Sequence, residues 1–353
     1  MTIMRIAKRI TIVTSIAIGT IILVFAGVAL WLQFDHGFTP AIKARDSVAS
    51  LEQVELGQFK QWILIRGEHR SSPILLFLHG GPGMPMMYLE YAFGHELEKD
   101  FIVVCWDRLG AGKSYNPQIP PDAMSVKREI ADTRQLIELL CSRFGQKKVY
   151  LVGHSYGSYL GMLVASRYPD LVAAYVGVGQ VTDPKAEYLA QDRFLQEQAA
   201  ATGNRELLTQ LDNHKPIDHE TWLWEFHGEL YHATSWSYLL MLGLQAPEYK
   251  LSDALAVPRG VSFTRKFLKY DVIHGPLAGE VKSLNVPVYF FLGRHDYTAP
   301  SSLAASYMDS LTAPYKEVVW FNNSAHFPFL EEPAKFASEM MHVCNQTADS
   351  IRE

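Results

Sequence analysis

The stretch KVYLVGHSYGSYLGMLVASRYP, residues 148–169, changes its pattern at Gly153. The apolar run before this glycine is typical of a buried strand, and the apolar residues after Ser155 recur at helical spacing. Gly153, Ser155 and Gly157 match GxSxG, whose glycines allow a sharp strand-to-helix turn that presents the serine hydroxyl. Glycine and serine are also common in ordinary turns, so the motif alone leaves open whether Ser155 is a nucleophile.

Further β-type apolar runs lie on both sides of this stretch and alternate with helical patterns. Such alternation is typical of a mostly parallel sheet with helices on both faces. Between two of the runs, the apolar residues of 126–144 fall on one face of a helix. With the run at 148–155 there are seven such runs. They occupy residues 61–67, 73–80, 101–108, 148–155, 173–180, 287–294 and 316–321.

The alternation stops near residue 183 and resumes near residue 286. The segment between them has helical patterns rich in Trp, Tyr and acidic side chains, such as HETWLWEFHGELYH. We therefore predict a helical cap over 183–285, inserted between two parts of one core, 34–182 and 286–353.

A serine nucleophile needs a histidine base that a carboxylate orients. On this type of sheet the order along the chain is serine, acid, histidine, each just after a strand. Asp296 follows PVYFFLGRH, and His326 lies in FNNSAHFPF after KEVVWF. Singly, Asp296 could cap a helix that begins near Ser301, and His326 could be a loop residue. Together with Ser155 they predict a catalytic triad.

Two other histidines stand close to these residues. His295 precedes the acid, but it is one residue after the strand-end Arg294 and has no comparable position for meeting Ser155. His154 precedes the nucleophile and points differently along the turn, so we interpret it as structural.

The oxyanion of an acyl-transfer reaction needs two backbone N–H donors. One is predicted to be the amide of Tyr156, directly after the nucleophile. The other is predicted at Gly81 in HGGPGMP, residues 79–85, where adjacent glycines let the main chain approach the substrate closely. This mechanism requires no metal and no organic cofactor.

Several of these segments resemble the α/β-hydrolase superfamily and, within it, the proline iminopeptidase group. The resemblance implies an eight-stranded sheet, an inserted cap, and cleavage of an N-terminal residue with a free amino group from a short peptide or other small substrate. The segments that carry it are HGGPG (79–83), WDRLGAGKS (106–114), GHSYGS (153–158), GRHDYTAP (293–300) and SAHFPF (324–329).

In that family a cap glutamate in a Trp-x-Trp-Glu-like context binds the α-amino group of the substrate. Trp222, Trp224 and Glu225 in TWLWEF match this pattern, so the resemblance implies substrate binding by Trp224 and Glu225. The alternative for Glu225 is a solvated helix residue. The alternatives for the whole chain are an esterase or amidase of the same fold, or a catalytically silent binding protein.

Composition excludes other classes of function. The net charge of −5 and the lack of a basic block argue against nucleic acid as a partner. LGAGKS (109–114) resembles the end of a phosphate-binding loop, but Asp107 stands where that motif needs glycine. The three cysteines have no CxxC spacing, and an odd number cannot complete a disulfide framework.

The N-terminal segment has a different character. Residues 10–32 carry no charge and are long enough to cross a bilayer as a helix. Because Arg5, Lys8 and Arg9 precede them, the positive-inside rule predicts a cytoplasmic N-terminus and an extracytoplasmic catalytic domain. We therefore predict a membrane anchor over 1–33. The alternatives are a cleaved signal peptide and the opposite orientation, with the N-terminus outside or the catalytic domain facing the cytoplasm.

Overall fold

The computed structural model describes residues 2–213, 215–274 and 277–352. In that part of the chain, eight strands form one sheet in the spatial order β1-β2-β4-β3-β5-β6-β7-β8. Strands β3 to β8 run parallel to one another, whereas β2 is antiparallel to both β1 and β4. The strands are β1 Val48–Leu56, β2 Phe59–Gly67, β3 Ile74–Leu78, β4 Ile102–Asp107, β5 Val149–His154, β6 Val172–Val178, β7 Val288–Gly293 and β8 Lys316–Phe321. The predicted fold class is confirmed.

Strand β1 is not among the strands that the apolar runs of the sequence predict. Its sequence, VASLEQVEL, alternates apolar and polar residues instead of forming a continuous apolar run. The strand lies at the edge of the sheet and pairs only with β2. An edge strand is partly solvated, so it does not need the apolar run of a central parallel strand.

Thirteen α-helices lie in the described residues. They are α1 Thr2–Phe34, α2 Glu90–Leu97, α3 Val126–Phe144, α4 Tyr156–Arg167, α5 Pro184–Thr202, α6 Arg205–Asp212, α7 His219–Glu225, α8 Ser237–Gly243, α9 Leu251–His274, α10 Leu277–Glu280, α11 Ser301–Ser310, α12 Pro328–Glu331 and α13 Pro333–Arg352.

Helices cover both faces of the sheet. Along β3, the side chains of Ile74, Leu76 and Leu78 enter one apolar cluster with buried residues of α3, α4 and α11. Leu75 and Phe77 enter a second cluster with residues of α2, α12 and α13. Alternate residues of a strand point to opposite faces, so the central strands are buried on both sides.

Helices α5 to α10 all lie between β6 and β7, in the segment 183–285 where the sequence predicts a cap. This inserted segment is bound to the loops that follow β3 and β4. The Thr264 hydroxyl of α9 donates to the Pro82 carbonyl at 3.1 Å, and the Tyr249 hydroxyl donates to the buried carboxylate of Asp107. These contacts place the inserted segment over the carboxyl ends of the strands, where ligands bind in open α/β sheets.

One described helix, α1, is long and apolar enough to cross a membrane. The segment Val13–Phe34 has a mean hydropathy of 2.4, and most of its side chains are exposed. Its C-terminal end contacts the inserted segment, because the Ser252 amide donates to Gln33 Oε1 at 3.0 Å and the Gly37 amide donates to the Pro247 carbonyl at 2.6 Å.

Candidate active site

Ser155 lies on the sharp turn between β5 and α4. Its backbone angles, φ 54° and ψ −126°, are strained for a residue with a side chain. The flanking glycines are needed for space: a Cβ on Gly153 would lie 2.4 Å from the Gly157 carbonyl oxygen, and one on Gly157 would lie 2.1 Å from the Leu78 carbonyl oxygen. The sequence therefore folds into the turn that GxSxG predicts.

Asp296 and His326 form a buried pair. His326 Nδ1 and Asp296 Oδ2 are 2.8 Å apart, and both residues are almost completely inaccessible to solvent. The other carboxylate oxygen of Asp296 accepts the Ala299 amide at 2.9 Å. The residue that caps α11 is Pro300, so Asp296 orients His326 and does not cap that helix.

The end of β6 connects the nucleophile to this pair. The Ser155 amide donates to the Val178 carbonyl at 3.0 Å. At the next residue, Gly179, a Cβ would lie 2.6 Å from His326 Cε1 and Nδ1 and 3.3 Å from Asp296 Oδ2. One short piece of main chain thus lies against all three predicted triad residues.

His154 supports the loop that carries His326. Its Nε2 is 2.9 Å from the His326 carbonyl oxygen, and the two ring centroids are 4.7 Å apart. Burial lowers the pKa of His154 well below its usual value, and the neighbouring His326 lowers it further. Its neutral ring accounts for the structural role predicted from the sequence. His295, in contrast, contacts the Asn322 carbonyl at 3.2 Å and stacks on Tyr231.

The charges around His326 favour its protonated form. Burial by itself lowers the pKa of His326, but the charge and hydrogen bond of Asp296, with smaller effects of Glu229 and Glu187, raise it to about 9. These neighbours stabilise the imidazolium that forms during catalysis, but near neutral pH only the fraction of His326 that is deprotonated can act as a general base.

The two predicted oxyanion donors lie beside the nucleophile. A Cβ on Gly80 would lie 2.9 Å from Ser155 Cβ, so the loop that contains Gly81 contacts the serine. Tyr156 is the first residue of α4, and its amide is one of the four that a helix leaves without an intrahelical acceptor.

The side chain of Tyr156 points into a buried polar network instead. Its hydroxyl donates to Glu129 Oε2, and Arg108 Nε donates to Glu129 Oε1 at 2.9 Å. The Arg108 guanidinium also lies 5.4 Å from the centroid of the Tyr156 ring. This network fixes the first turn of the helix that follows Ser155.

The predicted amine-binding residues lie at the end of α7. Trp224 is buried in the apolar cluster that contains Phe77, whereas Glu225 is exposed. Among the described residues, no hydrogen bond joins Glu225 to the triad. Binding of substrate by Trp224 and Glu225 stays a prediction.

Two other carboxylates of the inserted segment lie closer to the triad. The main-chain carbonyl of Glu229 accepts the His326 amide at 2.9 Å, and its carboxylate accepts the Thr298 hydroxyl. Glu187 is buried and accepts the Thr182 amide at 2.7 Å; burial raises its pKa to about 7. Sequence reasoning missed both residues, because no motif distinguishes them from the many other acidic residues of this segment.

A cavity of about 630 Å³ lies beside the Asp296 loop. His295 and Tyr297, which flank Asp296, line it together with aromatic residues of the inserted segment, but Ser155 does not. In the described part of the chain, no group of three or more His, Cys, Asp or Glu residues could hold a metal ion.

The strand order, the strained serine turn and the buried histidine–aspartate pair agree with a comparison against known families. The family described as alpha/beta hydrolase fold matches residues 73–333. The chain is an α/β-hydrolase.

Comparison with relatives shows which group of this superfamily the chain resembles. The α/β-hydrolase is 33% identical to a probable aminopeptidase of Bacillus subtilis over 310 residues, which cover 85% of this chain and 97% of the relative. It is 25% identical to a proline iminopeptidase of Lactobacillus delbrueckii subsp. bulgaricus over 297 residues, 79% of this chain and 92% of the relative. The predicted resemblance to the proline iminopeptidase group is confirmed, and the chain is a serine hydrolase of the peptidase-like kind.

A solved structure extends the likeness over almost the whole chain. A bacterial membrane phospholipase A superposes with a TM-score of 0.60 at 18% identity and covers 98% of this chain and 99% of its own. At this identity the likeness shows the fold alone.

Proposed function

We propose that this α/β-hydrolase is a membrane-anchored aminopeptidase that releases N-terminal residues from short peptides through an acyl-enzyme on Ser155. The observation that carries the proposal is the buried His326–Asp296 pair, held against the strand end that also binds the Ser155 amide. The likeness to a probable aminopeptidase over 85% of this chain supports a peptide rather than another carbonyl substrate.

In the proposed mechanism, Ser155 Oγ attacks the substrate carbonyl while His326 accepts its proton. Asp296 holds the imidazole by its Nδ1–H and stabilises the imidazolium. The amides of Gly81 and Tyr156 donate to the oxyanion. His326 then returns the proton to the leaving amine, and water, activated by the same histidine, hydrolyses the acyl-enzyme.

Recognition of the α-amino group is assigned to a carboxylate of the inserted segment, which we propose forms a cap over the site. An ammonium held against a half-buried carboxylate forms a charge-assisted hydrogen bond, which is stronger than a neutral one. Glu229 fits this role better than Glu225, because its main chain accepts the His326 amide and its carboxylate is near enough to the His326 ring to raise the pKa of that ring.

The proposed location rests on α1. Its apolar, largely exposed surface suits a bilayer, and the basic residues before it in the sequence favour the cytoplasmic side for the N-terminus. The catalytic body would then lie outside the cytoplasm.

The test is a substrate screen on the full chain in detergent. Aminoacyl-naphthylamides, prolyl among them, are compared with p-nitrophenyl acyl esters that have no amino group. The proposal expects turnover of the aminoacyl amides, with Ser155→Ala abolishing both turnover and labelling by a fluorophosphonate probe. Turnover of acyl esters alone would identify an esterase instead, and labelling that survives in Ser155→Ala would exclude this nucleophile.

A matched pair of variants tests amine recognition. Glu229→Gln is expected to raise KM for aminoacyl amides and to leave KM for acyl esters unchanged, whereas Glu225→Gln changes neither. If Glu225→Gln raises KM for aminoacyl amides and Glu229→Gln does not, Glu225 is the residue that binds the amino group.

A further inference from the structure

The outward side of α8 is an unusually apolar surface for the exterior of a protein. Trp236, Tyr238, Leu240 and Met241 are between 44% and 62% exposed. The sequence from 233 to 247 contains no Asp, Glu, Lys or Arg. Several exposed apolar side chains in one short segment mark contact with a membrane or a partner. We call these four residues the α8 face.

The opposite side of α8 fixes its orientation. Leu239 is buried in the core, and the Leu242 carbonyl accepts the Tyr91 hydroxyl at 2.8 Å. At Gly243, a Cβ would lie 3.1 Å from the ring of Tyr88, so the helix packs closely on the residues before α2. The α8 face is therefore turned outward by packing and cannot rotate into the core.

The α8 face lies close to the point where α1 ends. Gly243, the last residue of α8, is only four residues before Pro247. Four residues of extended chain span at most about 14 Å. Pro247 accepts the amide of Gly37, and the Tyr249 carbonyl is 3.1 Å from His36 Nδ1. The main chain that continues from α8 is thus bound directly to the residues that follow the proposed membrane helix.

We propose that the α8 face lies in the interfacial layer of the lipid bilayer, beside the point where α1 enters it. This inference rests on the proposed anchoring by α1. Tryptophan and tyrosine are enriched at the membrane interface, and leucine and methionine bury there without a charge to desolvate. Leu255, 63% exposed, is a further apolar residue on α9, whose first turn binds Gln33 of the anchor through the Ser252 amide. A bilayer also explains why no charged residue interrupts 233–247.

The test uses tryptophan fluorescence of the full chain reconstituted in phosphatidylcholine vesicles. Part of the lipid carries bromine on its acyl chains near the glycerol end, where it quenches tryptophans of the interface. The proposal expects Trp31 and Trp236 to supply most of the quenched emission, so Trp236→Phe removes roughly half of it. Trp320→Phe, a change on β8, is the matched control and removes none.

A second variant tests the apolar face itself. Leu240→Asp combined with Met241→Asp is expected to abolish the quenching of Trp236, because two charges would have to enter the interface. Hydrolysis of a soluble substrate by the same preparation reports whether the variant is folded and shows separately whether the proposed catalysis holds.

The outcomes separate the two proposals. If Trp31→Phe lowers the quenching and Trp236→Phe does not, the anchor stands and the bilayer contact of the α8 face is overturned. If neither variant changes the quenching and the protein fails to sediment with vesicles, the anchor is wrong and the inference falls with it.

Discussion

Gly179 offers the sharpest test of how the candidate triad is assembled. In Gly179→Ala, the new methyl group would lie 2.6 Å from two atoms of the His326 ring. Carbon atoms in ordinary contact are about 3.5–4.0 Å apart, so the ring must retreat by about 1 Å. Misplacement by 1 Å can cost about 100-fold in rate. We therefore expect Gly179→Ala to lower kcat/KM by about 100-fold.

A matched control separates this collision from backbone strain. Gly179 has φ +52°, and Gly145, after α3, has φ +67° with no atom within 4 Å of its added Cβ. Both alanine variants incur the left-handed backbone penalty of about 1–2 kcal/mol. Gly145→Ala is thus expected to lose stability but to keep its kcat/KM.

The assay compares kcat/KM of the two variants on the best substrate of the screen, per folded molecule. Thermal unfolding followed by circular dichroism gives the folded fraction. If Gly179→Ala and Gly145→Ala have the same kcat/KM, the end of β6 does not position His326 and the argument from its contacts is wrong.

Three further results are expected. Since His326 must be neutral to act as a base and its pKa is about 9, kcat/KM should rise with pH towards 9. Glu229→Gln, which removes a negative charge near the ring, should move this rise to lower pH; an identical profile would contradict the coupling. Tyr156→Phe keeps the amide but loses the hydrogen bond to Glu129, so denaturant unfolding should show a loss of about 1–2 kcal/mol with kcat/KM retained. A large fall in kcat/KM would instead place the phenol in catalysis. Burial raises the pKa of Asp107 from 3.8 to about 7, so the folded state favours the protonated form and stability should fall as pH rises from about 4 to 7. Asp107→Asn should flatten this dependence in thermal unfolding, and an unchanged slope would assign it to other groups.

The fold could be predicted because its central strands are buried on both faces. This burial requires continuous apolar runs, and such a run is visible in the sequence for every strand except β1. At β1 only one neighbour and partial burial constrain the residues, so the pattern is too weak to locate the strand.

The positions of Ser155, Asp296 and His326 could be predicted because parallel strands bring their carboxyl ends to one edge of the sheet. Local sequence does not determine which side of the short helix α7 packs inward. There the burial of Trp224 leaves Glu225 exposed. The proximity of Glu229 to His326 depends on how the inserted segment folds back over loops that are distant in sequence. The spacing of residues along the chain does not predict it.

The connection between α1 and the sheet has a mechanical consequence. Gly37 and Phe38 donate to Pro247, and the Arg66 side chain binds the Thr39 hydroxyl and the Pro40 carbonyl. The catalytic body therefore cannot swing on a flexible tether. In a bilayer it would diffuse laterally and spin about a single axis, and its cleft would stay at a constant height above the lipid surface. Substrates would be sorted by the depth at which they present their carbonyl group.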